Sequence, residues 1–108
     1  MNKGEIWLAN LPIWTGREQL GIRPIIMIAD TNAGLVIVIP LTSNLRTLKY
    51  SYTLKIETSK QNGLNNESAA LILQIKSIDK IRLIHKIGHL ENSYIEEIDR
   101  KLKSLLKL

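Results

Sequence analysis

The chain has 108 residues, 44% of them hydrophobic and none of them cysteine, and its formal net charge is +5 at pH 7. This length predicts one domain, residues 1–108, and the lack of cysteine excludes disulfide frameworks, thiolate metal sites and thiol nucleophiles. The basic excess favours a polyanionic partner, although ordinary solubility charge explains a bias of this size equally well. Because no apolar run approaches the ~20 residues of a membrane span and no signal peptide is present, we expect a cytoplasmic protein without membrane contact.

Short β-type runs separated by turn residues dominate the chain up to about residue 90. We predict strands at Glu5–Leu11, 24–29, Leu35–Thr42, 50–57 and 68–74, and a further short extended segment at 84–90. The clearest loop spans residues 60–66 and has Asn62-Gly63 at its centre. Five or six strands of this kind predict a small curled barrel.

One amphipathic helix follows the strands. Ser93, with Glu96 three residues later, fits a capping box at its start. Apolar residues then recur with helical spacing and form one stripe, made of Ile95, Ile98, Leu102, Leu105 and Leu106. The predicted fold is therefore mainly β, with one C-terminal helix whose apolar face packs on the barrel.

Polar residues collect at the ends of the second and third predicted strands. Glu18, Gln19 and Arg23 precede or begin the second strand, and Thr42 and Ser43 end the third. Neighbouring strands would bring these two groups together at one end of a sheet. Because arginine presents a planar fork of N–H donors that matches phosphate oxygens, an arginine beside hydroxyl groups indicates a phosphate-binding site.

Four motifs in this chain resemble those of the MazF/PemK family of toxin endoribonucleases, in the same order and at similar intervals. They are Gly4-Glu5-Ile6-Trp7, Glu18-Gln19 with Gly21-Ile22-Arg23-Pro24, Pro40-Leu41-Thr42-Ser43, and Gln74-Ile75-Lys76-Ser77-Ile78-Asp79. The resemblance runs from Lys3 to about Leu106. It implies an SH3-like barrel and an RNA-cutting toxin whose partner is a small antitoxin protein with a disordered, acidic segment.

Three residues are candidates for catalysis: Arg23, Thr42 and Glu18. Arg23 and Thr42 would stabilise charge on the scissile phosphate, and Glu18 would act as a base or read a base edge. Each has a simpler alternative. Thr42 suits a strand end where its hydroxyl satisfies a turn, Arg23 suits a surface salt bridge, and Glu18 suits a solvated loop.

Six further residues are candidates for RNA binding: Gln19, Ser43, Gln74, Lys76, Ser77 and Trp14. Strand alternation predicts that Gln74 and Lys76 share a face, and the resemblance implies that their segment lines the RNA path. Gln19 could instead brace its loop by bonding to backbone. Trp14 either stacks on an unpaired base or caps the end of the barrel.

The other groups capable of chemistry are interpreted as structural. Asp79 is positioned to cap a turn at residues 80–82. His85 and His89 have a spacing seen in metal sites, but they lack a third ligand, so we expect no metal and no cofactor. The carboxylates near the polar cluster reduce to Glu18, which argues against two-metal hydrolysis and leaves the 2′-hydroxyl of RNA as the nucleophile.

The sequence thus predicts a sequence-selective, metal-independent endoribonuclease that cuts single-stranded RNA to 2′,3′-cyclic phosphate and 5′-hydroxyl ends. We also expect a homodimer, because a small barrel rich in Ile and Leu leaves apolar surface to cover. One alternative is a nucleic-acid-binding barrel without catalysis. Another is a topoisomerase (gyrase) poison of the related toxin fold, but that family ends in Trp-Gly-Ile and this chain ends in Lys107-Leu108.

Overall fold

A computed structural model describes residues 1–11 and 21–108. Within these ranges the chain forms seven strands and one α-helix. They are β1 (Glu5–Leu11), β2 (Gly21–Asp30), β3 (Leu35–Thr42), β4 (Thr53–Ile56), β5 (Ser68–Leu71), β6 (Lys76–Asp79), β7 (Leu83–His89) and α1 (Asn92–Leu106). Short 3-10 turns occur at Leu45–Lys49, Ile72–Gln74 and Lys80–Arg82. The prediction of a mainly β fold with a C-terminal helix is confirmed.

The strands form one antiparallel sheet in the order β4-β5-β3-β2-β1-β7, and β6 pairs with β3 off this path. The end strands of that order, β4 and β7, are not paired with each other in the described part of the chain. The sheet is therefore open rather than a closed barrel. It also has seven strands instead of the predicted five or six, because the chain between β5 and β7 makes an additional strand.

That additional strand corrects the prediction of one strand over residues 68–74. Both β5 and β6 pair with the same edge of β3, where Leu41 lies opposite Ala70 and Val38 lies opposite Lys76. An unbroken register would place Leu73 opposite Val38. The 3-10 turn Ile72–Gln74 takes up the three extra residues, and Gln74 therefore lies in a turn and not in a strand.

The sheet is buried on both faces, since adjacent residues of β2 and β3 enter two different apolar clusters. Ile26 lies opposite Ile39 in the larger cluster, and Met27 lies opposite Val38 in the smaller one. Helix α1 covers the larger cluster. Its apolar stripe is confirmed at four positions, with Ile98 buried and with Ile95, Leu102 and Leu105 packed beside it, whereas the fifth, Leu106, is exposed.

The predicted capping box at Ser93 is wrong. The N-cap residue is Glu91, two positions earlier, and its side chain makes no capping hydrogen bond. The Glu91 carboxylate instead accepts a hydrogen bond from Nδ2 of Asn62 at 3.2 Å. The helix start is thus fixed by contact with the loop at residues 60–66, which local sequence spacing does not reveal.

The fourth predicted strand is shorter than expected, because β4 begins at Thr53 rather than at Tyr50. The preceding segment contains the turn Leu45–Lys49, and Tyr52 has a positive φ of 60°. A residue with a positive φ does not have the extended backbone of a strand, so β4 cannot extend back through Tyr52. The predicted role of Asp79 is confirmed, since its carboxylate accepts a hydrogen bond from the Ile81 N–H at 3.0 Å.

Glu5 is a buried carboxylate that connects β1 with β7. Its side chain accepts a hydrogen bond from Trp7 Nε1 at 2.9 Å and lies 3.4 Å from Lys86 Nζ. Burial raises the pKa of Glu5, but hydrogen bonds from Trp7 and the Asn2 backbone, together with the Lys86 charge, outweigh it and lower the pKa below 4.5. Glu5 is therefore ionised at neutral pH and is compensated within the fold.

No helix in the described ranges combines the length and apolar composition that crossing a membrane requires.

Candidate nucleic-acid interface

Arg23 and Thr42 lie at the same end of the β2–β3 ladder. The last pair of that ladder joins Ile25 with Pro40. Arg23 lies two positions before Ile25, and Thr42 lies two positions after Pro40. The register carried on by two residues places Arg23 opposite Thr42. Because side chains alternate along a strand, both point to the face on which Ile25 and Pro40 lie. The structure thus brings together the two residues predicted to act on phosphate.

Thr42 is held rigidly at the end of β3. Thr42 is only 4% exposed, and its Oγ1 accepts a hydrogen bond from the Asn44 N–H at 3.2 Å. The Asn44 side chain in turn accepts from the Arg46 N–H and begins the turn Leu45–Lys49. Accepting this bond does not use the hydroxyl proton, so Thr42 can donate to a ligand while it supports the turn.

Lys76 lies on the same face of the sheet as Arg23 and Thr42. It pairs with Val38, and paired residues on antiparallel strands present their side chains to the same side. Ser77 pairs with Ile37 and therefore points to the opposite face, where it is exposed. Of these two predicted RNA-binding residues, the structure groups only Lys76 with Arg23 and Thr42.

Gln74 and Lys76 still share a surface, although Gln74 is not in a strand. Both line a cavity of about 230 Å³ together with Leu73 and Ile75. The turn Ile72–Gln74 follows directly after β5, whose residue Ala69 lies opposite Thr42. The cavity therefore borders the edge of β3 that leads to the Arg23–Thr42 pair.

The remaining predicted site residues are Ser43, Glu18, Gln19 and Trp14. Ser43 follows Thr42 and is exposed. Glu18, Gln19 and Trp14 lie outside the described residues, in the range 12–20.

Two basic residues beside the site are missed by sequence reasoning. Arg46 and Lys49 are exposed in the turn that follows Ser43, and Lys49 Nζ lies 5.2 Å from the centre of the Tyr50 ring. Their position shortly after Thr42-Ser43 in the sequence is the feature from which they could have been predicted. Together with Arg23 and Lys76 they give this end of the sheet a positive charge, which attracts a polyanion.

The two histidines lie on β7, which β1 and β2 separate from β3 in the sheet. His89 is half-buried, with Nδ1 2.9 Å from the Leu90 carbonyl oxygen, and His85 is exposed on β7. Among residues 1–11 and 21–108, no three His, Cys, Asp or Glu side chains are grouped so that they could hold a metal ion.

Comparison with known proteins places the chain in a family of toxins. Residues 2–106 match the family model described as PemK-like, MazF-like toxin of type II toxin–antitoxin system. The Endoribonuclease EndoA of Bacillus subtilis (strain 168) is 30% identical over 112 residues, which cover 100% of this chain and 96% of that protein.

Solved structures agree on the fold. The structure of MazF (Form-I) from Deinococcus radiodurans superimposes with a TM-score of 0.83 at 21% identity, covering 100% of this chain and 97% of that one. An endoribonuclease in complex with its cognate antitoxin, from Mycobacterial species, superimposes with a TM-score of 0.69 at 14% identity, covering 98% and 92%. At these identities the two structures support the architecture alone.

Proposed function

The chain belongs to the PemK-like, MazF-like toxin family of type II toxin–antitoxin systems, and we propose that it is an endoribonuclease that cuts single-stranded mRNA by attack of the RNA's own 2′-hydroxyl. The observation that supports this reaction best is the placement of Arg23 and Thr42 on one face at the same end of β2 and β3. A guanidinium and a hydroxyl donor side by side match the non-bridging oxygens of one phosphate.

The reaction forms one bond to phosphorus and breaks another. A base, for which Glu18 is the candidate, removes the 2′-hydroxyl proton, and the 2′ oxygen attacks the adjacent phosphorus. The bond from phosphorus to the 5′ oxygen breaks, and that oxygen takes up a proton. The products carry a 2′,3′-cyclic phosphate and a 5′-hydroxyl. Arg23 and Thr42 stabilise the negative charge that grows on the phosphate oxygens during this step.

The remaining candidates guide the RNA strand. Lys76 and the turn residue Gln74 border the same edge of β3, and Ser43 follows Thr42 at the surface. Contacts from basic and polar side chains to phosphates fix the register of a nucleic-acid strand, while base contacts select the sequence. We assign Gln19 and Trp14 to base contacts. Ser77 is assigned to contact with the RNA where the RNA passes beyond the edge of the sheet.

The biological setting follows from the family. The toxin acts in the cytoplasm, where its mRNA substrate lies. Its inhibitor is a small antitoxin whose acidic, disordered segment covers the basic face. The chain pairs with a second copy of itself, because several large apolar side chains stay exposed in one copy, among them Leu35 at 44% and Ile81 at 85%.

Incubating the protein with a long RNA and mapping the new ends tests the proposal. We expect cuts at a recurrent short sequence in unpaired regions, with 5′ ends that a kinase can phosphorylate directly and 3′ ends that resist ligation to a 5′-phosphate until the cyclic phosphate is opened and removed. Added EDTA should leave the rate unchanged. Intact RNA that is bound but never cut would instead identify a binding module without catalysis.

A further inference from the structure

A second cavity, of about 460 Å³, lies on the face of the sheet opposite Arg23. Leu8 pairs with both Pro24 and His85, and all three side chains line the cavity on the side of β1, β2 and β7. Pro24 is the residue after Arg23, so consecutive residues of β2 serve the two faces. The size is within the ~300–1,000 Å³ range typical of small-molecule sites.

The lining of this cavity suits a ligand with a flat apolar part and polar edges. His85 offers an N–H donor, and the carboxamides of Asn65 and Asn66 offer donors beside acceptors. The apolar part of the lining comes from Leu8, Pro24, Leu64 and Ile87. Of the described residues that line the cavity, none is acidic. Lys86 borders the cavity, but it pairs with Trp7 and its side chain reaches Glu5 at 3.4 Å on the opposite face of the sheet.

The loop at residues 60–66 forms one wall of the cavity. Asn62, which is 0% exposed, holds this loop in place before any ligand binds. The Asn62 carboxamide donates to the Glu57 carbonyl and to the Glu91 carboxylate, and its oxygen accepts from the N–H groups of Ser59 and Leu64. These bonds satisfy a buried amide and set the position of the next residues along the loop.

The same loop also contacts β7 so closely that Gly63 and Gly88 have no room for a side chain. A Cβ atom on Gly88 would lie 2.5 Å from the Gln61 carbonyl oxygen, and a Cβ on Gly63 would lie 2.6 Å from that of Ile87. Gly63 also has a φ of +70°, which side chains rarely adopt. A wall that needs no rearrangement on binding is what a preformed ligand site requires.

We propose that this cavity binds one nucleotide of the RNA substrate, outside the cutting site, with His85 on the phosphate and with Asn65 and Asn66 on the edge of the base. The assignment rests on the proposed endoribonuclease function. A nucleotide is favoured over an acidic peptide because two adjacent carboxamides can read the paired donor and acceptor groups of a base edge, while apolar side chains contact its faces.

The two histidines of this chain provide a direct test by nuclear magnetic resonance. The probe is a short RNA that contains the mapped cut sequence and a single 2′-deoxy nucleotide at the cut position, so that it binds without being cut. We expect the imidazole signals of His85 to shift on addition of this RNA. Those of His89, which is half-buried on the Leu90 carbonyl, should stay in place and serve as the control. RNA that binds and leaves His85 unmoved would overturn the proposal.

Affinity measurements form the second arm. His85→Ala and Asn65→Ala should each weaken binding of the same RNA by about three- to tenfold, which is the range of one lost hydrogen bond, and the loss should appear in KM rather than in kcat. The control Lys103→Ala removes a positive charge from the exposed face of α1 and should change neither. Cavity variants that bind RNA as tightly as the wild type would contradict the assignment.

The outcomes separate the two proposals. If the wild type cuts RNA and the cavity variants match it, the cavity proposal fails while the endoribonuclease function stands. If the wild type neither binds nor cuts RNA, both fail. An acidic peptide that shifts the His85 signals when RNA does not would reassign the cavity to a protein partner and overturn the nucleotide proposal.

Discussion

Thr42 combines a structural and a proposed chemical role in one hydroxyl group. Its oxygen accepts the Asn44 N–H at 3.2 Å, which is the simpler alternative that its strand-end position predicted. The same bond fixes the direction of the side chain on the face that Arg23 shares. A residue can therefore satisfy a turn and still present its proton to a phosphate, so the two interpretations of Thr42 do not exclude each other.

Removing either phosphate contact should slow cleavage much more than it weakens folding. We expect Arg23→Ala and Thr42→Ala each to lower the cleavage rate at least tenfold, and up to the ~10²–10³ typical of a lost transition-state donor. Thr42→Ser, which keeps the hydroxyl, should retain most of the rate. Single-turnover cleavage and thermal unfolding measure the two effects. A folded Arg23→Ala or Thr42→Ala variant that cuts at the normal rate would remove that residue from the mechanism.

Glu5 should make stability depend on pH. The pKa of its carboxyl is lowered in the folded chain from an ordinary 4.5, so the ionised group stabilises the fold above that value, and the contribution is lost as the pH falls through the folded pKa. Glu5→Gln should lower the free energy of unfolding by about 1–2 kcal/mol at neutral pH, because Lys86 loses its charged partner.

Urea unfolding at several pH values measures this difference between Glu5→Gln and the wild type. The difference should shrink as the pH falls below 4.5. Glu96→Gln, at an exposed position of α1, is the control and should follow the wild type throughout. A gap that stayed constant down to acid pH would show that packing, and not charge, explains the role of Glu5.

At the scale of elements, the predictable parts of the fold are those whose boundaries depend on local sequence. The bounds of β1 and β3 agree with the prediction, since each is an apolar run between turn residues. The Asp79 cap also depends only on neighbouring residues. Periodicity likewise located the face of α1 that packs on the sheet.

The elements that could not be predicted depend on contacts distant in sequence. The turn Ile72–Gln74 exists because β5 and β6 pair with β3 in two registers, and nothing local to residues 68–79 encodes that difference. The start of α1 depends on Asn62, thirty residues earlier, through the bond to Glu91. For the candidate site, sequence reasoning predicted that Arg23 and Thr42 lie at the same end of the sheet, as the strand register shows, but the face of Ser77 followed only from its pairing with Ile37.

The stability of the loop at residues 60–66 should depend on Asn62 more than on any exposed residue of the loop. Asn62→Ala removes a fully buried carboxamide that bonds the Ser59 and Leu64 N–H groups and the Glu57 carbonyl, and we expect a loss of about 2–4 kcal/mol. Asn65→Ala, exposed three positions later, should change stability by less than about 0.5 kcal/mol. Chemical denaturation of both variants tests this. Equal losses would contradict the assigned role of Asn62.

At the scale of the whole molecule, the exposed apolar side chains predict a homodimer. Light scattering should give a mass of twice the 12.3 kDa of one chain. Leu35 and Ile81 lie close together, because the Lys80 N–H donates to the Gly34 carbonyl and Leu35 lies opposite Asp79. Ile81→Asp should shift the equilibrium toward the monomer, since it places a charge in an apolar interface.

Leu108→Asp is the matched control for the dimer prediction, because Leu108 is 81% exposed and Ile81 is 85% exposed. It should leave the mass of the particle at twice that of the chain. A single species of 12.3 kDa for the wild type at micromolar concentration would contradict the dimer. A dimer that is unaffected by Ile81→Asp would show that a different surface joins the two copies.

In the proposed reaction the attacking group belongs to the RNA, and the protein supplies the charge stabilisation. The most direct measurement compares cleavage of one oligonucleotide with cleavage of a copy that lacks a single 2′-hydroxyl, at the mapped cut position. Because this change removes the nucleophile and leaves nearly every binding contact in place, cleavage should stop while binding of the RNA persists. Cleavage of the 2′-deoxy copy at a comparable rate would contradict the account and require water as the nucleophile.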